Sequence, residues 1–451
     1  MIGRIHCGRL WRLVPAALAV TGVLAAAACG GGSTSSSTDA PTSAAAAAIP
    51  TLDSSTKVTI SFLSYNYGTP GLGGTGTQAL LDAFHKAYPN ITVKPQGVPV
   101  ADVLTKLRTD TAAGTPPDVA QIGWSKMSEA LQALPVTPVQ QIPSASEWQA
   151  HTAGMSANIL SAVSSGGVVK AMPYTMSIPI LYINADLFRK AGLDPDKPPT
   201  TMDQVKKDAL AIKATGAEGI YIGVADDSKS DFLTQSVVNS NGGSLVGKDG
   251  EETVDSPAAV GALTAMGDLT KSGAQPAVSS ASAVSAFTSG KLGMLLTSTA
   301  LMTSAQKAAT GKFELRTSGF PTFGSKPAKP TYSGAGLAIL AKDDVHKRAA
   351  WEFVKFVTSE AGFEIITSQI GYLPLRPAVA TKLAGTPILK LLQPSLSQLD
   401  TVTPYTSFKG TQANQAVVAL QDEAVAPIVL RGADPAPTLA SVADKIRKLT
   451  T

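Results

Sequence analysis

Gly71-Leu-Gly73-Gly-Thr-Gly76 is the segment of this chain that most resembles a chemical motif. A G-x-G-x-x-G run between a strand and a helix frees backbone N–H groups to meet an anionic group at a helix start. A dinucleotide site also needs an acid at the end of the next strand to hold the ribose, and none stands there. The spacing therefore fits a loop that can meet a polar or anionic ligand group, without nucleotide chemistry. Acid–base catalysis has as little to work with. Beyond residue 28 the histidines are His85, His151 and His346, at unrelated spacings. Asp226-Asp227 is the one tempting carboxylate pair, and adjacent residues on a strand point to opposite faces. No G-x-S-x-G, H-E-x-x-H or Cys–His pairing occurs,. No catalytic residue, metal or cofactor is expected.

The composition sets the frame around these residues. The chain has 451 residues, 44% hydrophobic and 16% charged, with a formal net charge of +4. That length suits about two or three domains and full-sized cores. A balance this close to neutral lacks the concentrated basic face of a nucleic-acid binder. Two cysteines make neither a disulfide scaffold nor a zinc site,.

The N-terminus reads as an export signal. Arg4, Arg9 and Arg12 precede the apolar run Leu13 to Ala28, whose 16 residues are short for a ~30 Å hydrocarbon core,. Ala26-Ala27-Ala28-Cys29 resembles a bacterial lipobox, with Ala26 where Leu is usual and Leu24 two places early. The resemblance implies that Cys29 is lipidated and becomes the mature N-terminus. Plain cleavage after Ala-x-Ala is the alternative, with Cys29 a bystander. Residues 1–28 are thus expected as a lipoprotein signal peptide, and 29–56, rich in Gly, Ser, Thr and Ala, as a flexible tether. Such a protein sits outside the cell membrane and is held to it by a lipid.

Behind the tether, strands and helices alternate. Lys57 to Tyr65 places Val58, Ile60 and Phe62 on one face,. A helix is expected from about Thr77 to Tyr88, a strand at 91–93, a helix over 100–113 and a strand at Val119 to Ile122. This order predicts a parallel sheet with crossover helices. Thr201-x-x-Gln204 reads as a capping box, and Ser256-Pro257 as a helix start closed by Gly273,. Asp343 to Val357 is amphipathic, with Val345, Ala349, Phe353, Phe356 and Val357 on one stripe,.

Several segments together resemble a known family. They are Phe84-His-Lys-Ala-Tyr-Pro-Asn-Ile-Thr-Val93, Ala113-Gly-Thr-Pro-Pro-Asp-Val119, and Pro173-Tyr-Thr-Met-Ser-Ile-Pro-Ile-Leu-Tyr-Ile-Asn184. Asp186-Leu-Phe-Arg-Lys-Ala-Gly-Leu-Asp-Pro195, Asn241-Gly-Gly243, Phe287-Thr-Ser-Gly-Lys-Leu-Gly-Met294, Ala350-Trp-Glu-Phe-Val-Lys-Phe356 and Gly371-Tyr-Leu-Pro374 continue the match. Their order resembles the bacterial extracellular solute-binding proteins that serve ABC importers of carbohydrates and glycerol phosphate, the family of maltose-binding protein. The resemblance implies an α/β, two-lobed periplasmic-binding-protein fold of type II, crossed three times by the chain. It places the crossings near Pro173–Ser177, Leu295–Ser298 and Ser333–Leu337. Lobe one would be 57–173 plus 298–333; lobe two would be 177–295 plus 337–451, with the C-terminal helices packing across. The implied partners are a sugar-like small molecule and the permease subunits, with the protein a monomer.

Sugars present apolar faces rimmed by hydroxyls, which aromatic rings and polar side chains cover. Tyr65, Asn66 and Tyr67 leave the end of the first strand, and Trp124 follows the third, where α/β sheets hold ligands. The resemblance adds Tyr174, Ser298, Thr299, Ser333 and Gly334 at the crossings, Asn241 on the second lobe, and Tyr372 and Arg376 around the Gly-Tyr-Leu-Pro loop. Tyr182 and Trp351 read as core. In the glycerol-phosphate branch of the family a Trp pair and a C-terminal Arg hold the ligand. Here Asp226 to Asn241 has no Trp, and Phe408 or Lys409 stands near the Arg position. Three readings follow: a sugar-binding lipoprotein, a glycerol-phosphate or glycerophosphodiester binder, and a secreted polysaccharide-acting enzyme with paired carboxylates.

Overall fold

A computed structural model describes residues 48–69 and 73–451. The expected signal peptide, Cys29 and Gly71 lie outside them. Eleven strands are described: β1 Val58–Ser64, β2 Ile91–Gly97, β3 Val119–Gly123, β4 Ser164–Ser165, β5 Val168–Val169, β6 Ala171–Ser177, β7 Pro179–Asn184, β8 Glu218–Ile222, β9 Leu292–Ser298, β10 Leu315–Ser318 and β11 Ser333–Ile339. They form a first sheet in the order β2-β1-β3-β11-β6, a second in the order β10-β7-β9-β8, and the small hairpin β4-β5.

The alternation in β1 works as read: Val58, Ile60 and Phe62 are buried while Thr59 is exposed. β1 pairs in parallel with β2 and β3, joined by the helices Gly74–Ala87 and Val103–Ala112. The first of these starts a turn earlier than the apolar spacing predicts and buries Thr77, Leu80, Leu81 and Phe84. Helix Asp344–Val357 covers the same face. Its Phe353 ring meets Phe62 at 5.0 Å and Phe84 at 5.1 Å, both edge to face, a geometry aromatic quadrupoles favour,. Val345, expected on that stripe, is instead exposed in the first turn. The Thr201–Gln204 capping box is complete: each backbone N–H donates to the other side chain at 3.2 Å.

Two hydrophobic cores result, and β7 belongs to both. Ile180 and Tyr182 point into the first core, Leu181 and Ile183 into the second. A strand has a side-chain period of two, so one fully buried strand can serve two layers at once.

The lobes divide differently from expectation. β10 lies in the segment assigned to lobe one, yet pairs antiparallel with β7 of the second sheet. β11 carries residues assigned to lobe two, yet sits between β3 and β6 in the first. The chain crosses at Ile178, again between β10 and β11, and finally before Phe408, from which the C-terminal helices join the second core. Leu295–Ser298, expected as a crossing, lies within β9 of the second sheet. The expected tether also ends early. Ile49 and Leu52 pack on the first core, and the Ile49 N–H donates to the Ile142 carbonyl at 2.9 Å.

Candidate ligand-binding site

β1 and β3 are parallel neighbours, so their carboxyl ends open on one side of the first sheet,. The chain leaves β1 through the short helix Tyr65–Gly68 and β3 through the helix Trp124–Ala133. Ser64 joins the two strand ends: its hydroxyl donates to Gln121 Oε1 at 2.8 Å. The Asn66 backbone N–H donates to the same oxygen at 3.4 Å. A backbone N–H can only donate, so this oxygen is the acceptor and the Gln121 amide nitrogen is left over.

That nitrogen has company. Asn66 Nδ2, Gln121 Nε2, Trp124 Nε1, Lys126 Nζ, Tyr174 OH and Thr299 Oγ1 are all buried without a hydrogen-bond partner among the described residues. Each such group costs about 1–3 kcal/mol when left unpaired. Asn66 and Gln121 stand at the ends of β1 and β3, and Trp124 follows β3, which makes this end of the sheet the candidate site,.

Tyr65, Tyr174 and Tyr372 form the hinge side of this surface, all buried. The Tyr372 hydroxyl donates to Asn66 Oδ1 at 3.1 Å. The Leu373 N–H donates to the Met176 carbonyl at 2.8 Å and pins that loop to β6. Burial pushes the Tyr65 phenol up to about 12, opposed in part by Tyr372, Thr175 and Gln121. Burial also raises Tyr174 and Tyr372, so all three rings stay neutral donors at physiological pH. Gly334, opposite Met176, holds β11 against β6 at φ 135°; a Cβ there would stand 1.9 Å from the Thr175 carbonyl oxygen.

Trp124 opens the second part of the site. It stands edge to face with Tyr332 at 6.4 Å. With Tyr332, Tyr405, Leu131 and Gln132 it lines a cavity of about 500 Å³. That volume lies within the range of small-molecule pockets.

Other expected residues are elsewhere. Tyr67 is 39% exposed and donates to Gln78 Oε1 at 3.3 Å. Asn241 is tied within the second lobe, donating to the Ala258 carbonyl at 2.8 Å and accepting from Lys326 Nζ at 2.7 Å. Arg376 spends its guanidinium on the carbonyls of Thr358, Ala153 and His151, at 3.0, 3.1 and 2.6 Å, and so struts the first lobe. The Ser298 hydroxyl caps the next turn, accepting from the Ala300 N–H at 3.0 Å. Thr299 lies at the hinge, its N–H on the Ile178 carbonyl at 3.0 Å. Ser333 opens β11 opposite Ser177.

The described glycines of the motif, Gly73 and Gly76, pack closely against Ile370. A Cβ on Gly76 would lie 2.6 Å from the Ile370 side chain and 2.9 Å from the Gln369 carbonyl oxygen. Small residues there let the segment before Tyr372 come close. Asp226 and Asp227 face separate partners, the Ser228 N–H and the Ser280 hydroxyl.

The family described as bacterial extracellular solute-binding protein matches residues 68–362. The chain belongs to this family. Its members are the non-enzymatic binding components of ABC transporters and work outside the cytoplasmic membrane. This solute-binding protein is 28% identical over 298 residues to a binding protein of Brucella abortus (strain 2308), covering 65% of this chain and 71% of that one. In fold it is similar to the GacH receptor of Streptomyces glaucescens, with a TM-score of 0.74, 20% identity, and coverage of 87% of this chain and 98% of that one. It is also similar to UgpB of Mycobacterium tuberculosis in complex with glycerophosphocholine, with a TM-score of 0.72, 22% identity, and coverage of 86% and 98%. These likenesses concern the two-lobed type II architecture.

Four residues at or near the candidate site in this solute-binding protein escaped sequence reasoning: Gln121, Lys126, Tyr332 and Tyr405. Gln121 left a usable trace, a lone amide in the apolar strand Val119–Ile122 that is 0% exposed. Lys126 left none, since a lysine on a helix normally faces water. Here it is 2% exposed, and burial lowers its affinity for the proton, opposed by Asp226, Asp231, Glu129 and Asp102.

Proposed function

We propose that this protein captures a neutral sugar or oligosaccharide between its lobes and delivers it to the permease of an ABC importer. The observation that carries this reading is the Trp124–Tyr332–Tyr405 cavity at the end of β3, where Trp124 Nε1 is a buried donor without a partner among the described residues. Rings suit the C–H faces of a pyranose, and such a donor suits its oxygens. Phosphate recognition would want an arginine fork. Arg376 is committed to three carbonyls, Phe408 is buried in the second core, and the Lys409 backbone is pinned to Gly250. GacH, similar in fold, forms a complex with acarbose.

A second reading, glycerophosphodiester binding, draws on the fold shared with UgpB and on the buried cation Lys126, two residues after Trp124. A thermal-shift screen over saccharides, polyols and glycerophospho-compounds separates the two. A ligand at 100 times its Kd stabilises by about 2.7 kcal/mol. A shift from a saccharide supports the first reading; a shift from glycerophospho-compounds alone overturns it.

The protein is further proposed to work as a monomer, tethered to the membrane by a lipid on Cys29. Small residues before that cysteine and the Gly/Ser/Thr-rich stretch after it support this.

A further inference from the structure

We infer that Glu129 of the first lobe is a latch for the second: its carboxylate grips the start of a lobe-two helix and holds the lobes together before any ligand arrives. The inference concerns the resting protein and does not depend on which ligand it takes.

Glu129 lies on the helix Trp124–Ala133, which packs on β3 and β11 of the first sheet. Trp124, Met127, Ser128 and Leu131 of this helix line the cavity; they stand three and four residues apart and so share one face,. Glu129 falls outside that face and meets the helix Ala413–Ala419. The partner helix belongs to the second lobe, with Ala413, Ala416 and Val417 buried in the second core, and the two helices pack directly on each other.

The Glu129 side chain is only 1% exposed. A carboxylate is almost never buried so deeply unless it is paired. Here its two oxygens are shared between the lobes. Oε1 accepts from the half-buried Arg108 guanidinium of the first lobe. Oε2 accepts from the Asn414 backbone N–H of the second lobe at 2.8 Å.

Asn414 stands in the first turn of its helix, where N–H groups have no acceptor within the helix itself. Gln412, the residue before that helix, makes no side-chain capping bond. The acceptor that the helix start lacks locally is therefore supplied by the other lobe. A bond to a charged acceptor is stronger than one between neutral groups. The donor is backbone already fixed by its helix, so the second lobe orders no side chain to make the bond. Parting the lobes takes from Glu129 the partner that Arg108 does not replace.

A latch of this kind sets how much of the protein is closed while empty. Apparent affinity scales with the fraction of the protein in the binding-competent form. Glu129 thus raises affinity for any ligand that the closed form holds and does not choose between ligands.

The test adds no ligand. Small-angle scattering and residue-resolved hydrogen exchange of the full chain compare wild type with Glu129→Ala and with Asn414→Pro, and a melting curve shows that each variant is folded. Asn414→Pro removes the donor from the other lobe, at a first-turn position where a helix tolerates proline. Expected are a larger radius of gyration in both variants and, in Glu129→Ala, exchange of the Asn414 amide faster by about tenfold or more, with the β3 amides unchanged. If Glu129→Ala does not fold, Asn414→Pro decides by its radius. A radius equal to that of wild type in the folded variants overturns the latch, even with faster exchange at Asn414, because the bond then caps a helix without holding the lobes. Either result leaves the sugar-binding reading as it stands.

Discussion

The Tyr372 hydroxyl donates to Asn66 Oδ1 across 306 residues of chain. This bond ties the loop after the helical segment Ile366–Ile370 to the end of β1, so two distant segments meet at the hinge. Hydrogen bonds between buried neutral groups are worth about 1 kcal/mol net. Tyr372→Phe should lower stability by about that amount while keeping the ring in place. Chemical denaturation curves of the two proteins measure it, and an unchanged midpoint would show the bond to be idle.

Trp124 and Trp351 make a controlled pair. Trp351 is 0% exposed, packs on Trp148 at 5.9 Å and donates to Glu147 Oε1 at 3.0 Å. Trp351→Ala should cost about 3–5 kcal/mol of stability. Trp124→Ala should cost less stability and instead lose about 1–3 kcal/mol of ligand affinity, since its ring faces the cavity,. Affinity unchanged beside a large fall in melting temperature would make Trp124 a core residue.

Acid should weaken the first lobe in two stages. Burial, with help from the nearby charges of Arg376 and Lys355, lowers His151 from 6.5 to about 4. The unfolded chain then binds the proton more readily, so stability falls as pH drops from 6.5 toward 4, by about 2–3 kcal/mol at most. Glu147 follows lower down. Its burial, which would raise it, is outweighed by donors from Arg348, Lys355 and Trp351, and it rests at about 2. Its contribution is full above 4.5 and lost as pH falls toward 2. His151→Gln should flatten the upper limb of the stability–pH curve and leave the lower one; a limb that persists in the variant assigns it to another group.

Gly334→Ala should be severe. The added Cβ meets the Thr175 carbonyl in a backbone conformation that side chains rarely adopt,. A loss of about 2–5 kcal/mol is expected from strain and overpacking together. A melting temperature within a degree or two of wild type would mean that β11 shifts freely, and the hinge is then softer than its pairing implies.

Cys29→Ala should move the protein from the membrane pellet to the soluble fraction of fractionated cells. Retention in the pellet would remove the lipid-anchor proposal. In solution, saturating sugar should reduce the radius of gyration measured by small-angle scattering, as the lobes close on it. An unchanged radius with ligand bound would remove hinge closure.

The strands β1 to β3 and their helices were legible because each carries its own period and end signals. The lobe of β10 and of β11 was not. β11 is a small-residue run, buried from Gly334 onward, and its place between β3 and β6 is fixed by distant partners. At the candidate site, Tyr65, Asn66 and Trp124 were placed together from sequence because ligands gather where parallel strands end. Tyr67 stands beside them yet faces outward, a matter of which side of one helical turn is buried. Arg376 looked like a ligand group by charge and position; only the three carbonyls converging on it reveal a strut.

The first sheet closes late. β11 is its last strand in sequence but fills the gap between β3 and β6, which are complete by Ser177. A chain emerging in N-to-C order leaves that gap open until Ile339 is out. The half-built sheet offers unpaired edges and no finished core over this interval. A polypeptide built this way cannot lock its leading half until β11 has arrived, so that half folds with the rest of the chain and not ahead of it.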